Sequence, residues 1–329
     1  MKICYLGAGT WGVALASILA TNGHDVTLWT RDPAHMKLLD LTRVHPKLPG
    51  CPIPPSVKFT SNLQEALHGA ELIAESVTSA GIRAVFKEIG KVKIPIILTS
   101  KGIEQKTGFL LPEVISDLQG VHQSPLVGCI SGPSHAEEVI QHMPTAVVCS
   151  AYDMHLTKLI CQLFTTPTLR IYPNSDIHGV CFGAAMKNII AIACGISDGV
   201  TGSDNAKAAL MTRGLHEIRK LCVVKGANQE TLNGLSGMGD LCVTCMSPHS
   251  RNYRLGKLIA EGFSPEGARQ KISMAVEGIN TCASAYELGK KHHIPIPVTQ
   301  STYAVLFEEL NPKDALRALL SRTIKEEHL

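Results

Sequence analysis

Basic runs are missing from this sequence: its formal charge of +3 is spread over 329 residues, with no cluster of Lys and Arg. The footprint that nucleic acid or an anionic membrane surface requires is therefore absent, and any acidic partner is expected to be small. Low-complexity stretches are missing too. With 45% apolar and 18% charged residues, the chain falls among folded globular proteins and not among disordered ones. No apolar run is expected to reach the ~20 residues of a membrane span. Zinc-finger spacing is also lacking, because Cys242-Val243-Thr244-Cys245 has no second C-x-x-C and no His pair to complete it, so no metal site is expected.

Cysteine itself is plentiful. Its eleven residues lie scattered in apolar segments such as Val147-Val148-Cys149 and Ala191-Ile192-Ala193-Cys194, which reads as mostly buried free thiols of a reducing compartment and not as a disulfide framework. The start of the chain has Lys2 before an apolar stretch, but Gly7, Gly9 and Gly12 break it where a secretory signal would run as an unbroken apolar helix, so a cytoplasmic protein is expected. The length favours two domains.

An apolar run at 2–6 and an apolar helical stretch at 13–20, ending near Asn22-Gly23, flank Gly7-Ala8-Gly9-Thr10-Trp11-Gly12. This is G-x-G-x-x-G between a strand and a helix, where glycines permit a tight turn and let backbone N–H groups approach a pyrophosphate. A second strand at 25–29 completes a βαβ unit. It ends in Thr30-Arg31-Asp32: an acid there holds ribose hydroxyls, whereas an arginine stacks on adenine or meets a 2′-phosphate, so NAD and NADP both stay open. Apolar runs at 71–74, 94–99, 126–130, 146–149 and 169–172 alternate with helical patterns at 82–89 and 156–164. The expected fold is therefore α/β, a Rossmann-like, mostly parallel, doubly wound sheet over 1–176. Ligands of such sheets sit beyond the carboxyl ends of the strands, where Thr99-Ser100-Lys101-Gly102 and Ser131-Gly132-Pro133-Ser134 fall.

Beyond Asp176 helical patterns take over, at 180–196, 205–224, 253–260, 282–292 and 312–320, and an all-α domain over 177–329 is expected. Its first helix sets Lys187 and Asn188 among small and apolar residues. An exposed lysine, with a pKa of about 10.4, is a poor base. Desolvation or a neighbouring cation lowers that value and makes a neutral amine available to take a proton from an alcohol. Ser236-Gly237-Met238-Gly239-Asp240-Leu241 reads as a flexible loop delivering a carboxylate, either as a helix cap or as a partner of a substrate hydroxyl or of the ammonium form of the base. Ser250-Arg251-Asn252 opens a helix, a place where a guanidinium and free N–H groups suit a phosphomonoester.

In order along nearly the whole chain, Gly7-Ala8-Gly9-Thr10-Trp11-Gly12, Ser100-Lys101-Gly102-Ile103-Glu104, Ser131-Gly132-Pro133-Ser134-His135-Ala136-Glu137-Glu138, Gly183-Ala184-Ala185-Met186-Lys187-Asn188, Gly237-Met238-Gly239-Asp240-Leu241 and Ser250-Arg251-Asn252 resemble the signatures of the NAD(P)-dependent glycerol-3-phosphate dehydrogenase family. The resemblance implies reversible hydride transfer between sn-glycerol 3-phosphate and NAD or NADP, in a homodimer that supplies glycerophospholipid synthesis. It implies that Gly7, Gly9, Thr10, Trp11, Gly12, Arg31, Lys101, Ala136, Arg251, Ala275 and Glu277 contact the dinucleotide. Lys101, Gly132, Ser134, Lys187, Asp240, Ser250, Arg251 and Asn252 surround the substrate, with Lys187 as proton acceptor. Glu75 is a charge where the family has an apolar strand, Thr78 replaces a proline, and Ala275 stands where valine is usual. The rival readings are another Rossmann dehydrogenase, of 3-hydroxyacyl or ketopantoate type, and a non-catalytic dinucleotide binder. The first would lack the combination of Lys101, Lys187 and Ser250-Arg251-Asn252, and the second would lose the base.

Overall fold

The structure, a computed structural model, describes residues 1–324, 326 and 327; positions 325, 328 and 329 of the expected C-terminal domain lie outside the described residues. Contacts divide the chain into two compact units. One comprises Met1–Ser100 with Leu111–Val180, the other Lys101–Leu110 with Cys181–Leu329. The chain thus passes into the second unit at Lys101 and returns at Leu111, a crossing that a single boundary near 176 does not include.

The first unit is built on eight strands: β1 (Lys2–Leu6), β2 (Asp25–Trp29), β3 (Lys58–Thr60), β4 (Leu72–Glu75), β5 (Ile96–Leu98), β6 (Val127–Ser131), β7 (Thr145–Ala151) and β8 (Leu169–Asn174). They lie in the order β3-β2-β1-β4-β5-β6-β7-β8. Neighbours are parallel except β6 and β7, which is the mostly parallel sheet expected from the apolar runs. Strands buried on both faces have no polar side to alternate with, and so they read as continuous Ile, Leu and Val.

Helices α1 (Thr10–Thr21), α2 (Pro33–Thr42), α3 (Leu63–Leu67), α4 (Ser79–Ile89), α5 (Leu111–Gln119), α6 (Ala136–Ile140) and α7 (Met154–Phe164) connect the strands. The core gathers Ile3, Tyr5, Val13, Leu15, Leu19, Leu28, Leu72 and Ile160, all essentially inaccessible. The chain builds outward from β1 to β3, then returns to the other side of β1 with β4. This reversal is where an open α/β sheet presents its ligand crevice, outside the carboxyl ends of the strands.

The second unit holds most of α8 (Ile177–Thr201), then α9 (Asp204–Cys222), α10 (Asp240–Met246), α11 (Arg251–Ala260), α12 (Pro265–Ile272), α13 (Glu277–Lys291), α14 (Pro297–Phe307) and α15 (Pro312–Leu320). The expectation that no apolar run reaches spanning length needs correction here. By length and composition α8 qualifies, but 94% of its most apolar stretch is buried inside the fold. A helix that is apolar all round is one covered on all sides, and α8 is the core of its unit, with Ile189, Ile190 and Ile192 fully buried against Leu215, Ile218 and Leu255. Glycines let α11 approach it closely: a methyl group on Gly195 would lie 2.1 Å from the Tyr253 carbonyl oxygen. From α9 the buried Glu217 accepts the Val298 and Thr299 N–H groups at 2.6 and 3.0 Å, so a side chain remote in sequence caps α14.

Candidate active site

In the first unit the glycine turn follows β1 directly. Gly7 has φ of +99°, and a methyl group on it would lie 2.9 Å from the Ser76 backbone, while one on Gly12 would lie 1.9 Å from the Gly7 oxygen. Neither position admits a side chain. Gly9 precedes α1 without offering a side-chain acceptor to the first-turn N–H groups, and the space beside its Cα is open. Nearby, the buried Trp11 Nε1 has no hydrogen-bond partner among the described residues. Uncapped helix N–H groups and an orphan indole N–H are donors awaiting an anionic, polar ligand, so the turn fits a dinucleotide. His35 on α2, which sequence reasoning missed, donates from Nε2 to the Ala8 carbonyl at 2.9 Å and braces the turn.

At the end of β2, Asp32 accepts the Ala34 N–H at 2.9 Å and caps α2. The carboxylate is engaged by its own helix, and Arg31 beside it is exposed. After β6, Ser134 donates its hydroxyl to the Gly132 carbonyl at 2.9 Å, and the buried Ala136 opens α6.

Glu75 closes β4 and is fully buried. Its Oε1 accepts the N–H groups of Thr99 and Ser100 at 3.1 and 3.3 Å, and its Oε2 accepts the Val77 N–H at 3.0 Å and the Ser100 hydroxyl at 2.7 Å. Burial raises its pKa to about 7, with the hydrogen bonds from Ser100, Val77 and Thr99 opposing the rise. The unexpected charge in the strand is thus a fully partnered group. Ser76 and Thr99 extend the cluster, with Ser76 Oγ 2.8 Å from the Tyr5 hydroxyl and 2.6 Å from Thr99 Oγ1.

The second unit brings Lys101, Lys187 and Asp240 together. Asp240 Oδ2 accepts Lys101 Nζ at 2.7 Å, and Oδ1 accepts Lys187 Nζ. Asp240 is 1% exposed and begins α10, directly after a wide π-helical turn at Leu235–Gly239. One expectation is corrected by this: the segment 236–239 is helical and not a loop. Of the readings left open for Asp240, the geometry has the partner of the ammonium form of the base, its carboxylate bridging two lysines.

Thr244, one helical turn on, accepts Lys187 Nζ at 2.7 Å and donates to the Asp240 carbonyl at 2.6 Å. Sequence reasoning passed over it, although the i, i+4 spacing from Asp240 was the signal available. Burial lowers the Lys187 pKa to about 7, the Asp240 charge raising it and the Lys101 charge lowering it again. A neutral amine keeps two N–H donors and a lone pair. Asp240 and Thr244 can take the two donors, leaving the lone pair as a base.

Ser250 caps α11, accepting the Tyr253 N–H at 3.2 Å, and Arg251 is the first residue of that helix. Asn252 is buried, donating to Asn188 Oδ1 at 2.9 Å and accepting the Gly278 N–H at 3.0 Å, so its amide ties α8, α11 and α13 together. Ala275 is exposed, and Glu277 begins α13.

The family of NAD-dependent glycerol-3-phosphate dehydrogenases matches with its N-terminal model over residues 2–157 and its C-terminal model over residues 176–317. The chain belongs to this family. It is 54% identical to the glycerol-3-phosphate dehydrogenase [NAD(P)+] of Protochlamydia amoebophila (strain UWE25), across 100% of this chain and 99% of that relative. To the enzyme of the same name from Chlamydia trachomatis serovar L2b it is 50% identical, over 99% of each chain. The crystal structure of glycerol-3-phosphate dehydrogenase from Coxiella burnetii superposes with a TM-score of 0.92 at 38% identity, covering 97% of this chain and 98% of that one. The two-part architecture, an α/β sheet followed by helices, is shared with that structure.

Proposed function

We propose that this chain interconverts sn-glycerol 3-phosphate and dihydroxyacetone phosphate as an NAD(P)-dependent oxidoreductase acting on a CH–OH group, supplying glycerol 3-phosphate for glycerophospholipid synthesis. One observation carries the reading: a buried lysine whose pKa falls to about 7 and whose ammonium is held by Asp240 and Thr244. Lys187 takes the C2 hydroxyl proton in oxidation and returns it in reduction. Bound dinucleotide supplies the hydride chemistry. Asp240 and Thr244 aim the amine, and Lys101, sharing Asp240, disfavours a second full positive charge beside it.

The remaining assignments are proposals of the same reading. The division of labour is a dinucleotide-binding part, residues 1–176, and a helical catalytic part, residues 177–329, to which Lys101 contributes. Gly7, Gly9, Thr10, Trp11, Gly12, Arg31, Lys101, Ala136, Arg251, Ala275 and Glu277 serve the cofactor. Gly132, Ser134, Ser250, Arg251 and Asn252 serve the substrate with Lys101, Lys187 and Asp240. At the end of β2 the exposed Arg31 offers a 2′-phosphate a cation, while Asp32 spends one carboxylate oxygen on the Ala34 N–H as a helix cap, which supports use of both NAD and NADP. Among the described residues none of the eleven cysteines is in a disulfide, in support of a reducing, cytoplasmic setting. A homodimer follows from the family resemblance.

The reading is tested by following NADH and NADPH oxidation with dihydroxyacetone phosphate and with hydroxyacetone, which lacks the phosphate. The phosphorylated substrate is expected to be preferred by about 10³-fold in kcat/KM, and Arg251→Ala to erase most of that preference. Equal turnover of the two substrates by the unmodified chain would contradict a phosphate site.

A further inference from the structure

The register of the sheet sets Glu75 opposite Leu6 on one side and Leu98 on the other, so its carboxyl group lies at the carboxyl ends of three adjacent strands, where the chain leaves β1 for the glycine turn. From there it reaches both neighbouring loops. Val77 belongs to the loop after β4, and Thr99 and Ser100 follow β5; together they give the carboxyl group four donors. The loop it fixes is the one against which the glycine turn packs, since a methyl group on Gly7 would meet the Ser76 carbonyl carbon and oxygen at 2.9 Å. Ser76 is tied down a second time, through its hydroxyl, to Tyr5 and Thr99. A backbone that a glycine must touch this closely determines where that glycine's turn can sit.

The Ser100 hydroxyl contacts both Glu75 Oε2 and the Val77 carbonyl oxygen. One proton serves only one of them. With Glu75 ionised, Ser100 donates to the carboxylate; with Glu75 protonated, the carboxyl O–H donates to Ser100 Oγ, and Ser100 donates to Val77. In both arrangements the two loops stay joined, whereas an apolar side chain of the same size removes the acceptor of the Val77 and Ser100 N–H groups, Thr99 keeping only the Glu75 backbone carbonyl at 3.1 Å.

We propose that Glu75 is a positioning residue for the dinucleotide: by clasping Val77, Thr99 and Ser100 it fixes the Ser76 backbone on which the Gly7 turn rests. Nucleotide affinity, and not turnover, depends on it. This rests on the reading that the β1–α1 turn binds the dinucleotide.

The experiment measures NADH affinity by Trp fluorescence and kcat at saturating NADH for Glu75→Leu, Glu75→Gln and Gly7→Val in the full chain. Glu75→Leu is expected to raise the NADH Kd about tenfold, the equivalent of one hydrogen bond to a charged group, with kcat changed by less than about twofold. Glu75→Gln keeps the volume and an acceptor oxygen but turns an amide N–H toward the donors; about a threefold rise in Kd is expected, and it decides the matter should the leucine variant fail to fold. An unchanged Kd in a folded Glu75 variant, or a loss confined to kcat, overturns the proposal. Gly7→Val separates the two readings. If it abolishes NADH binding while the Glu75 variants do not weaken it, only the role of Glu75 fails; if it too leaves NADH bound normally, the turn is not the dinucleotide site.

Discussion

Lys187→Ala is expected to lower kcat for glycerol 3-phosphate oxidation by about 10³-fold, within the range that a positioned general base contributes. The NADH Kd is expected to stay within about twofold, because a general base acts on the substrate proton and not on nucleotide binding. Stability should change little as well. Removing the amine leaves the Lys101–Asp240 pair at 2.7 Å, so the buried carboxylate keeps a cation. Stopped-flow measurement of the single-turnover rate, with Kd from fluorescence titration, checks both halves. A normal rate would mean that some other group takes the proton.

Asp240→Asn is expected to act on stability and on ionisation together. The carboxylate is 1% exposed and lies between two lysines. Its loss leaves buried positive charge without a counter-charge, a defect that typically costs about 3–5 kcal/mol. Denaturant unfolding should register that loss. The Asp240 charge is also what opposes the downward pull of burial on Lys187, so in this variant the amine loses its proton at a pH below about 7. The pH at which oxidation reaches half its maximal rate should therefore move down. A midpoint unmoved from wild type would show that Asp240 holds the fold without setting the ionisation of the base.

Most of the sheet was legible because its strands are buried on both faces and so spell continuous apolar runs. β3 escaped that reading, since Lys58-Phe59-Thr60 is too short to carry a pattern. The reversed direction of β7 relative to β6 escaped as well, because an apolar run reads the same whichever way the strand points. Legibility of the site followed the same division between local and distant. Gly7, Gly9 and Gly12 announce the turn by spacing alone, and Lys187 is conspicuous as a cation in an apolar helix.

What joins Lys187 to Lys101 is Asp240, 53 residues from one and 139 from the other. No local pattern records such a meeting; it depends on the chain entering the second unit for Lys101–Leu110. Asp240 was misread as a loop carboxylate because Ser236-Gly237-Met238-Gly239 has the composition of a loop. Packing overrides that composition: a methyl group on Gly237 would lie 1.9 Å from the Leu232 oxygen, so the glycine serves a close helical turn. Glu75 was noticed in the sequence only as an anomaly. Its meaning lies in four donors, two of them on the backbone of β5's exit, that a linear reading does not assemble.

The central claim, that a desolvated amine at position 187 is the base, meets its most direct test in the pH dependence of kcat for glycerol 3-phosphate oxidation by the unmodified chain. The deprotonated amine is the active form. The rate should therefore climb about tenfold per pH unit on the acid side and level off above about 7. A profile that keeps climbing toward about 10.4, as a solvated lysine would dictate, or one with no break between about pH 6 and 9, would contradict it.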